Sequence, residues 1–85
     1  MSTLQGTRVT SGKLRDFEGH PGAYGKVGDG WLVCLPTGEL CSMNAGHTIT
    51  EHDDGTITVS PSILMPADRG QYWHGYLEQG VWREV

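Results

Sequence analysis

The C-terminal third of the chain concentrates its aromatic side chains. Two of the three Trp and two of the three Tyr lie within the eleven residues from Tyr72 to Trp82. Aromatic side chains bury more area per residue than the other side chains that a small protein can use. We therefore expect the hydrophobic core to form around this segment.

Turn-forming residues are frequent along the 85 residues, which include 13 Gly and 4 Pro. This composition is typical of short strands joined by tight turns, and no segment combines a helical period with capping residues. A chain of this length has room for one core. The sequence predicts a single all-β domain over residues 1–85, folded as a small antiparallel sandwich or partly open barrel built from hairpins.

The clearest hairpin pattern runs from residue 47 to residue 59, with apolar and polar residues alternating on both sides of residues 53–55. If Gly55 adopts the left-handed conformation of a three-residue loop, Ile49 pairs with Val59. Thr and His side chains then share the opposite face, so this hairpin is predicted to have one buried face and one polar face.

A second hairpin is predicted at the C-terminus, where a two-residue turn at residues 79–80 joins two aromatic segments. This turn places Leu77 opposite Trp82 and puts Trp73 on the same face. We expect the core to contain Trp31, Val33, Ile49, Val59, Ile63, Leu77 and one or both of Trp73 and Trp82.

A third hairpin joins a strand at residues 31–35 to a second strand after residues 36–39. With those four residues as the loop, Cys34 lies directly opposite Cys41. A disulfide is geometrically possible in such a pair. A reducing compartment favours two free thiols.

The remaining segments carry weaker signals. Residues 1–5 are expected to be frayed, residues 7–14 could form an edge strand, and residues 15–30 are predicted to be a Gly-rich surface loop. Pro61 cannot donate a ladder hydrogen bond, so it is expected to end or bulge its strand.

The formal net charge is −4, and no run of Lys or Arg is present to follow a phosphate backbone. No apolar run approaches the roughly 20 residues of a membrane-spanning helix. The first residues also lack the features of a signal peptide. We therefore expect no nucleic-acid or membrane partner, and a cytoplasmic location in a host cell.

Candidate metal ligands are Cys34, Cys41, His47 and His74, with His52 in reserve. A cross-strand Cys pair and a nearby His could provide three of the four ligands of a tetrahedral zinc site. The alternative is that both Cys act as small apolar residues and the His side chains as ordinary polar groups, with no cofactor. His74 could also act as an acid or base, although a hydrogen-bonded structural His is the simpler interpretation.

The candidate binding residues are Tyr72, His74 and Tyr76. Because side chains alternate along a strand, these three should face away from Trp73 and Leu77, which belong to the core side. Aromatic rings with a polar tip are well suited to interfaces. In the alternative arrangement, a second sheet covers this face and the tyrosines are internal.

Residues 58–63, with their Pro-Ser-Ile triplet, and the segments 73–77 and 80–82 resemble a known group of sequences. These are small proteins of unknown function encoded by bacteriophages and prophages. In Cys-rich members, the resemblance implies a zinc site that includes the His of the later strand and an upstream Cys motif. His74 matches that His and Cys34 matches the first upstream Cys.

Two positions depart from the pattern of those Cys-rich members. Trp73 and Thr37 stand where the members carry Cys, so the resemblance implies only part of a zinc site in this chain. The large Trp73 side chain could fill the space that a metal occupies in the others.

The first functional hypothesis is a phage or prophage accessory protein that acts by binding a host or phage protein, for example as an inhibitor of a host or defence enzyme. The acidic charge and the absence of a catalytic signature favour it over an enzyme. Two alternatives remain open: a small metal- or His-dependent enzyme centred on His74, and a virion part that forms homo-oligomers through an edge strand.

Overall fold

The computed structural model describes residues 3–43 and 46–85. Nine β-strands and one 3₁₀ turn form the regular structure in these ranges, which contain no α-helix. The strands are β1 (Thr3–Gln5), β2 (Thr7–Val9), β3 (Ala23–Val27), β4 (Gly30–Cys34), β5 (Leu40–Ser42), β6 (Thr48–Glu51), β7 (Ile57–Met65), β8 (Trp73–Glu78) and β9 (Val81–Glu84). The 3₁₀ turn spans Leu14–Asp16.

The strands form two sheets that pack against each other. The five-stranded sheet has the order β1-β9-β8-β7-β6, and the four-stranded sheet has the order β2-β3-β4-β5. All the pairings are antiparallel except that of β2 with β3. The predicted all-β sandwich is therefore confirmed, and its two sheets stay separate instead of closing into a barrel.

The hairpin of β6 and β7 has the predicted register, with Ile49 opposite Val59. Gly55 has a φ of 87°, and the His52 N–H donates a 2.8 Å hydrogen bond to the Thr56 carbonyl across the three-residue loop. A left-handed residue in such a loop matches the twist of the two strands. The turn residues and the alternation therefore agree on one register.

The hairpin of β8 and β9 also has the predicted register, with Leu77 opposite Trp82. Gln79 and Gly80 have φ values of 48° and 78°, as a two-residue type I′ turn requires. The Trp73 and Trp82 rings meet edge to face, with their centroids 5.6 Å apart. Both are buried, so the C-terminal aromatic residues do form part of the core.

Strand β7 contains the bulge predicted at Pro61. Val59 pairs with Leu77 and Ile63 pairs with Gly75, so β7 has more residues between these pairs than β8 has. A proline cannot donate to the ladder, and bulges are common where ladder pairing is interrupted. The bulge re-aims the residues that follow it.

The main core lies between the two sheets. Of the predicted core residues, six are buried and Trp31 and Ile49 are partly buried at its margin. The buried residues that sequence reasoning missed in this cluster are Tyr24, Leu35, Met43, Ile57 and Met65. A smaller cluster of Phe17, Ala23 and Cys34 covers the other face of the four-stranded sheet.

Two segments predicted to lack regular structure are strands. Thr3–Gln5 forms β1 and pairs with β9, so the prediction of a frayed segment is wrong for these residues, while residues 1 and 2 lie outside the described residues. The Gly-rich loop predicted at 15–30 contains β3. Gly25 allows that strand to approach β2, because a Cβ there would lie 2.1 Å from the Val9 carbonyl oxygen.

The predicted opposition of Cys34 and Cys41 is wrong. The Leu35 N–H donates to the Glu39 carbonyl at 2.8 Å, so the loop has three residues and Cys34 pairs with Leu40. Because adjacent residues of a strand point to opposite faces, Cys34 faces the small cluster and Cys41 faces the main core. Both are free thiols.

Candidate functional site

The outer face of the five-stranded sheet presents His74 and Tyr76 from β8. They alternate with Trp73 and Leu77, which point into the core. Tyr76 is 41% exposed, so the alternative in which a second sheet buries this face is wrong. The alternation predicted from the sequence places these two side chains together.

Leu64 of β7 lies directly opposite His74 and is 56% exposed. Leu64 and Tyr76 are therefore two large, exposed side chains on the solvent-facing side of the sheet. We name Leu64, His74 and Tyr76 the β7–β8 patch. Sequence reasoning missed Leu64, although its position between the buried Ile63 and Met65 is a period-2 signal that could have shown it.

Tyr72 lies outside this patch. It precedes β8 and is 57% exposed. It lines a groove of about 290 Å³ together with Leu4, Pro36, Thr37 and Glu84. The three predicted binding residues thus divide between the patch and a groove at the end of the sandwich.

Two histidines converge on Ser62, which lies within the bulge of β7. The His74 Nε2 atom is 3.1 Å from the Ser62 hydroxyl oxygen. The His47 Nε2 atom is 3.3 Å from the Ser62 carbonyl oxygen and donates to it. Since β6 and β8 lie on opposite sides of β7, the two rings reach the bulge from both neighbouring positions.

The contact between Ser62 and His74 brings together a hydroxyl and an imidazole, the nucleophile and base of many hydrolases. Such pairs also need a group that orients the base and donors that stabilise the developing oxyanion. In residues 3–43 and 46–85, no carboxylate accepts a hydrogen bond from the His74 ring. Within these residues the contact is a hydrogen bond between the bulge and β8.

The predicted zinc ligands are not brought together. Cys34 and Cys41 lie on opposite faces of their sheet, whereas His47 and His74 bond to Ser62 of the other sheet. The described part of the chain contains no group of three or more His, Cys, Asp or Glu side chains placed to hold a metal. His52, the reserve ligand, bonds to a threonine hydroxyl at 2.7 Å.

Burial raises the pKa of both thiols. For Cys34 a backbone hydrogen bond from His20 partly opposes this effect, and for Cys41 the positive charge of Arg69 does so. A thiol with a raised pKa is a poor nucleophile at neutral pH, because the thiolate is the reactive form. Neither Cys is therefore arranged as a reactive site.

The charged groups beside the β7–β8 patch are largely neutralised. Arg83 lies opposite Tyr76 and forms a 3.4 Å ion pair with Glu78. Both side chains are about half exposed, so this pair is weak and easily rearranged. The patch is therefore bordered by one pair of opposite charges.

Arg8 of β2 connects the two sheets, a role that the sequence did not reveal. Its Nη1 donates to the Gly55 carbonyl at 2.8 Å and its Nη2 lies 3.0 Å from a carboxylate oxygen of Glu51. Its guanidinium carbon also lies 5.1 Å from the centroid of the Trp31 ring. These contacts join the β6–β7 hairpin to the four-stranded sheet.

Comparison with known proteins finds no family model that matches the chain and no curated protein or solved structure with significant similarity to it. The resemblance to phage and prophage proteins therefore stays a prediction. Within the described residues, no helix has the length and apolar character needed to cross a membrane. The functional argument depends on the geometry of the outer face.

Proposed function

We propose that this protein acts by binding another protein through the β7–β8 patch. The observation that carries the proposal is the pairing of Leu64 with His74 beside Tyr76, two exposed large side chains around a partly buried imidazole. Apolar and aromatic groups at the centre of a patch, with charges at its border, are the usual anatomy of a protein interface.

The finer part of the proposal draws on the sequence resemblance. It assigns the chain to phage or prophage accessory proteins and the partner to a host or phage protein, with inhibition of a host or defence enzyme as the form of action. The net charge of −4 favours a partner surface with a positive border, since complementary charge speeds association.

The test compares proteins captured from a bacterial lysate by the wild type and by a Leu64→Ser/Tyr76→Ser double variant. Leu14→Ser is the matched control, because Leu14 is also an exposed leucine, 49% exposed, on the 3₁₀ turn. We expect the double variant to lose a specific partner that the wild type and the control retain.

Thermal unfolding must show that all three proteins remain folded at the capture temperature. The proposal fails if the wild type captures nothing specific, or if the double variant captures the same proteins as the control. Loss of the partner in both variants would place the interface elsewhere and would also contradict the proposal.

A further inference from the structure

Strand β7 is longer than β6, the strand that pairs with it at the edge of the sheet. The pairing with β6 ends where Thr48 lies opposite Ser60, whereas β7 continues to Met65. Beyond Ser60, the described residues supply β8 on one side of β7 and no strand on the other. Among residues 3–43 and 46–85, the second half of β7 is therefore an edge of the sheet.

The hydrogen-bond alternation of the sheet shows which backbone groups this edge presents. The Val85 N–H donates to the His74 carbonyl at 2.9 Å, so the backbone groups of His74 face β9. In an antiparallel ladder the next residue faces the other way, and Gly75 therefore pairs with Ile63 of β7. Leu64, opposite His74, consequently directs its N–H and C=O away from β8.

The groups on either side of Leu64 along this edge already have partners. The Ser62 carbonyl accepts a hydrogen bond from His47. Pro66 has no N–H, and its carbonyl accepts from the Arg69 N–H at 3.0 Å. The Leu64 N–H and C=O lie between these, and no hydrogen bond to them is found among the described residues.

We propose that the partner contributes an extended segment that adds to the five-stranded sheet beside Leu64, in line with β6. The segment exchanges two hydrogen bonds with the Leu64 backbone and places an apolar side chain against the exposed Leu64 side chain on the same face. This inference rests on the proposed protein-binding function of the β7–β8 patch and specifies how the partner is held.

A second copy of the chain fits this edge less well than a different protein. Pairing of two such edges would bring together two chains that each carry a net charge of −4, and like charge opposes association. The space beside Leu64 is also bounded by the His47 side chain and by Pro66. In a two-fold pairing both strands would carry these two side chains, so each copy would obstruct the other. The occupant is therefore an extended segment of another protein.

The experiment uses amide exchange and two-dimensional NMR of the whole chain. In the free protein, we expect the Leu64 amide to exchange at least about tenfold faster than the Ile63 and Met65 amides, which face β8. The probe is the peptide acetyl-Thr-Val-Thr-Val-Thr-amide. We expect it to shift the Leu64 amide resonance and slow its exchange, while the same peptide with N-methylated valines does neither.

Two variants separate the backbone from the side chain. Leu64→Ala keeps the N–H, whereas Leu64→Pro removes it, and a proline is tolerated where an edge N–H faces away from the ladder. We expect the Ala variant to bind the peptide with reduced affinity and the Pro variant to show no peptide-dependent shift. The exchange protection of Ile63 and Met65 in each variant shows whether the sheet is intact.

Three results would overturn the inference: a Leu64 amide as protected as its neighbours in the free protein, no shift with the peptide at millimolar concentration, or a concentration-dependent dimer that protects Leu64. Each of these leaves the capture experiment on Leu64→Ser/Tyr76→Ser unchanged. A partner that needs the patch but not the edge would therefore refute this inference alone.

Discussion

Trp82 of one sheet donates its indole N–H to the carbonyl oxygen of Gly22 in the other layer, at 2.9 Å. The bond joins residues 60 positions apart, and the Trp82 ring is also packed against Trp73. A buried hydrogen bond between layers fixes how they are positioned as well as how tightly they pack. Trp82 therefore stabilises the fold through this hydrogen bond as well as through the apolar area that it buries.

Trp82→Phe should destabilise the protein by about 0.5–1.5 kcal/mol beyond the effect of the smaller ring, because a buried hydrogen bond is lost. The Gly22 carbonyl then keeps only its second donor, the Thr7 N–H at 3.2 Å. Trp73→Phe is the control: it makes the same change in ring size, and the described residues include no acceptor for the Trp73 indole. We expect a smaller loss there. Urea unfolding followed by far-ultraviolet circular dichroism measures both, and equal losses would show that the Gly22 bond adds nothing beyond packing.

Arg8→Met should destabilise the protein more than Glu51→Gln does. The methionine removes the donor to the Gly55 carbonyl, a charged hydrogen bond of about 1.5–3 kcal/mol. The glutamine removes only one charge of a partly exposed pair, which is worth up to about 1 kcal/mol. Chemical unfolding of the two variants tests the order. Because Arg8→Met removes the ion pair as well, equal losses in the two variants would mean that the bond to Gly55 adds nothing to it.

Gly38→Ala and Gly55→Ala should each destabilise the protein by about 1–2 kcal/mol, because both glycines have a left-handed φ, 96° and 87°. No atom lies within 4 Å of an added Cβ at either position, so the effect is conformational and Asn should restore part of it. Thermal unfolding of the Ala and Asn pairs provides the comparison. An Asn variant no more stable than its Ala counterpart would contradict this explanation.

Gly25→Ala should be far more harmful than either loop substitution. Its Cβ would lie 2.1 Å from the Val9 carbonyl oxygen, a backbone atom that cannot move without separating β2 from β3. We expect loss of the folded far-ultraviolet spectrum or a large fall in melting temperature. A Gly25→Ala protein as stable as Gly55→Ala would show that the parallel pairing of β2 and β3 is not needed for folding.

Cys41 should react with iodoacetamide before Cys34, because Cys41 is only partly buried and Cys34 is fully buried. Burial raises the pKa of both thiols, so the reaction at Cys41 should be slow at neutral pH and accelerate as the pH rises. Mass spectrometry of samples quenched over time measures the order. A disulfide between the two, or faster reaction of Cys34, would contradict their placement on opposite faces.

The raised thiol pKa values also affect stability. The stabilising contribution of each neutral buried thiol is fully present below the unfolded-state pKa, and it is lost as the pH rises through that value towards the folded-state pKa. We expect Cys34→Ala to reduce the fall in stability at alkaline pH. Urea unfolding of wild type and variant from neutral to alkaline pH would test this. An unchanged alkaline slope in the variant would show that the pKa of Cys34 is the same in the folded and unfolded states.

The two three-residue loops differ in how well the sequence predicted them. Residues 53–55 and 36–38 close their hairpins with the same pattern of hydrogen bonds and a left-handed Gly at the third position. At the first loop, the alternation on both strands supported only one register. At the second loop, the strand after Gly38 is too short for its alternation to fix the loop length. The predicted loop was one residue too long, and this error placed Cys41 on the wrong face of the sheet.

The sequence by itself determined the all-β class, the registers of the β6–β7 and β8–β9 hairpins, the bulge at Pro61 and the faces of His74 and Tyr76. These follow from turn residues and period-2 alternation, which act over a few neighbouring residues. Tertiary structure alone decided the pairing of β1 with β9, the parallel strands β2 and β3, and the convergence of two His on Ser62. These features depend on contacts between distant segments and on the space left after burial, which no local pattern encodes.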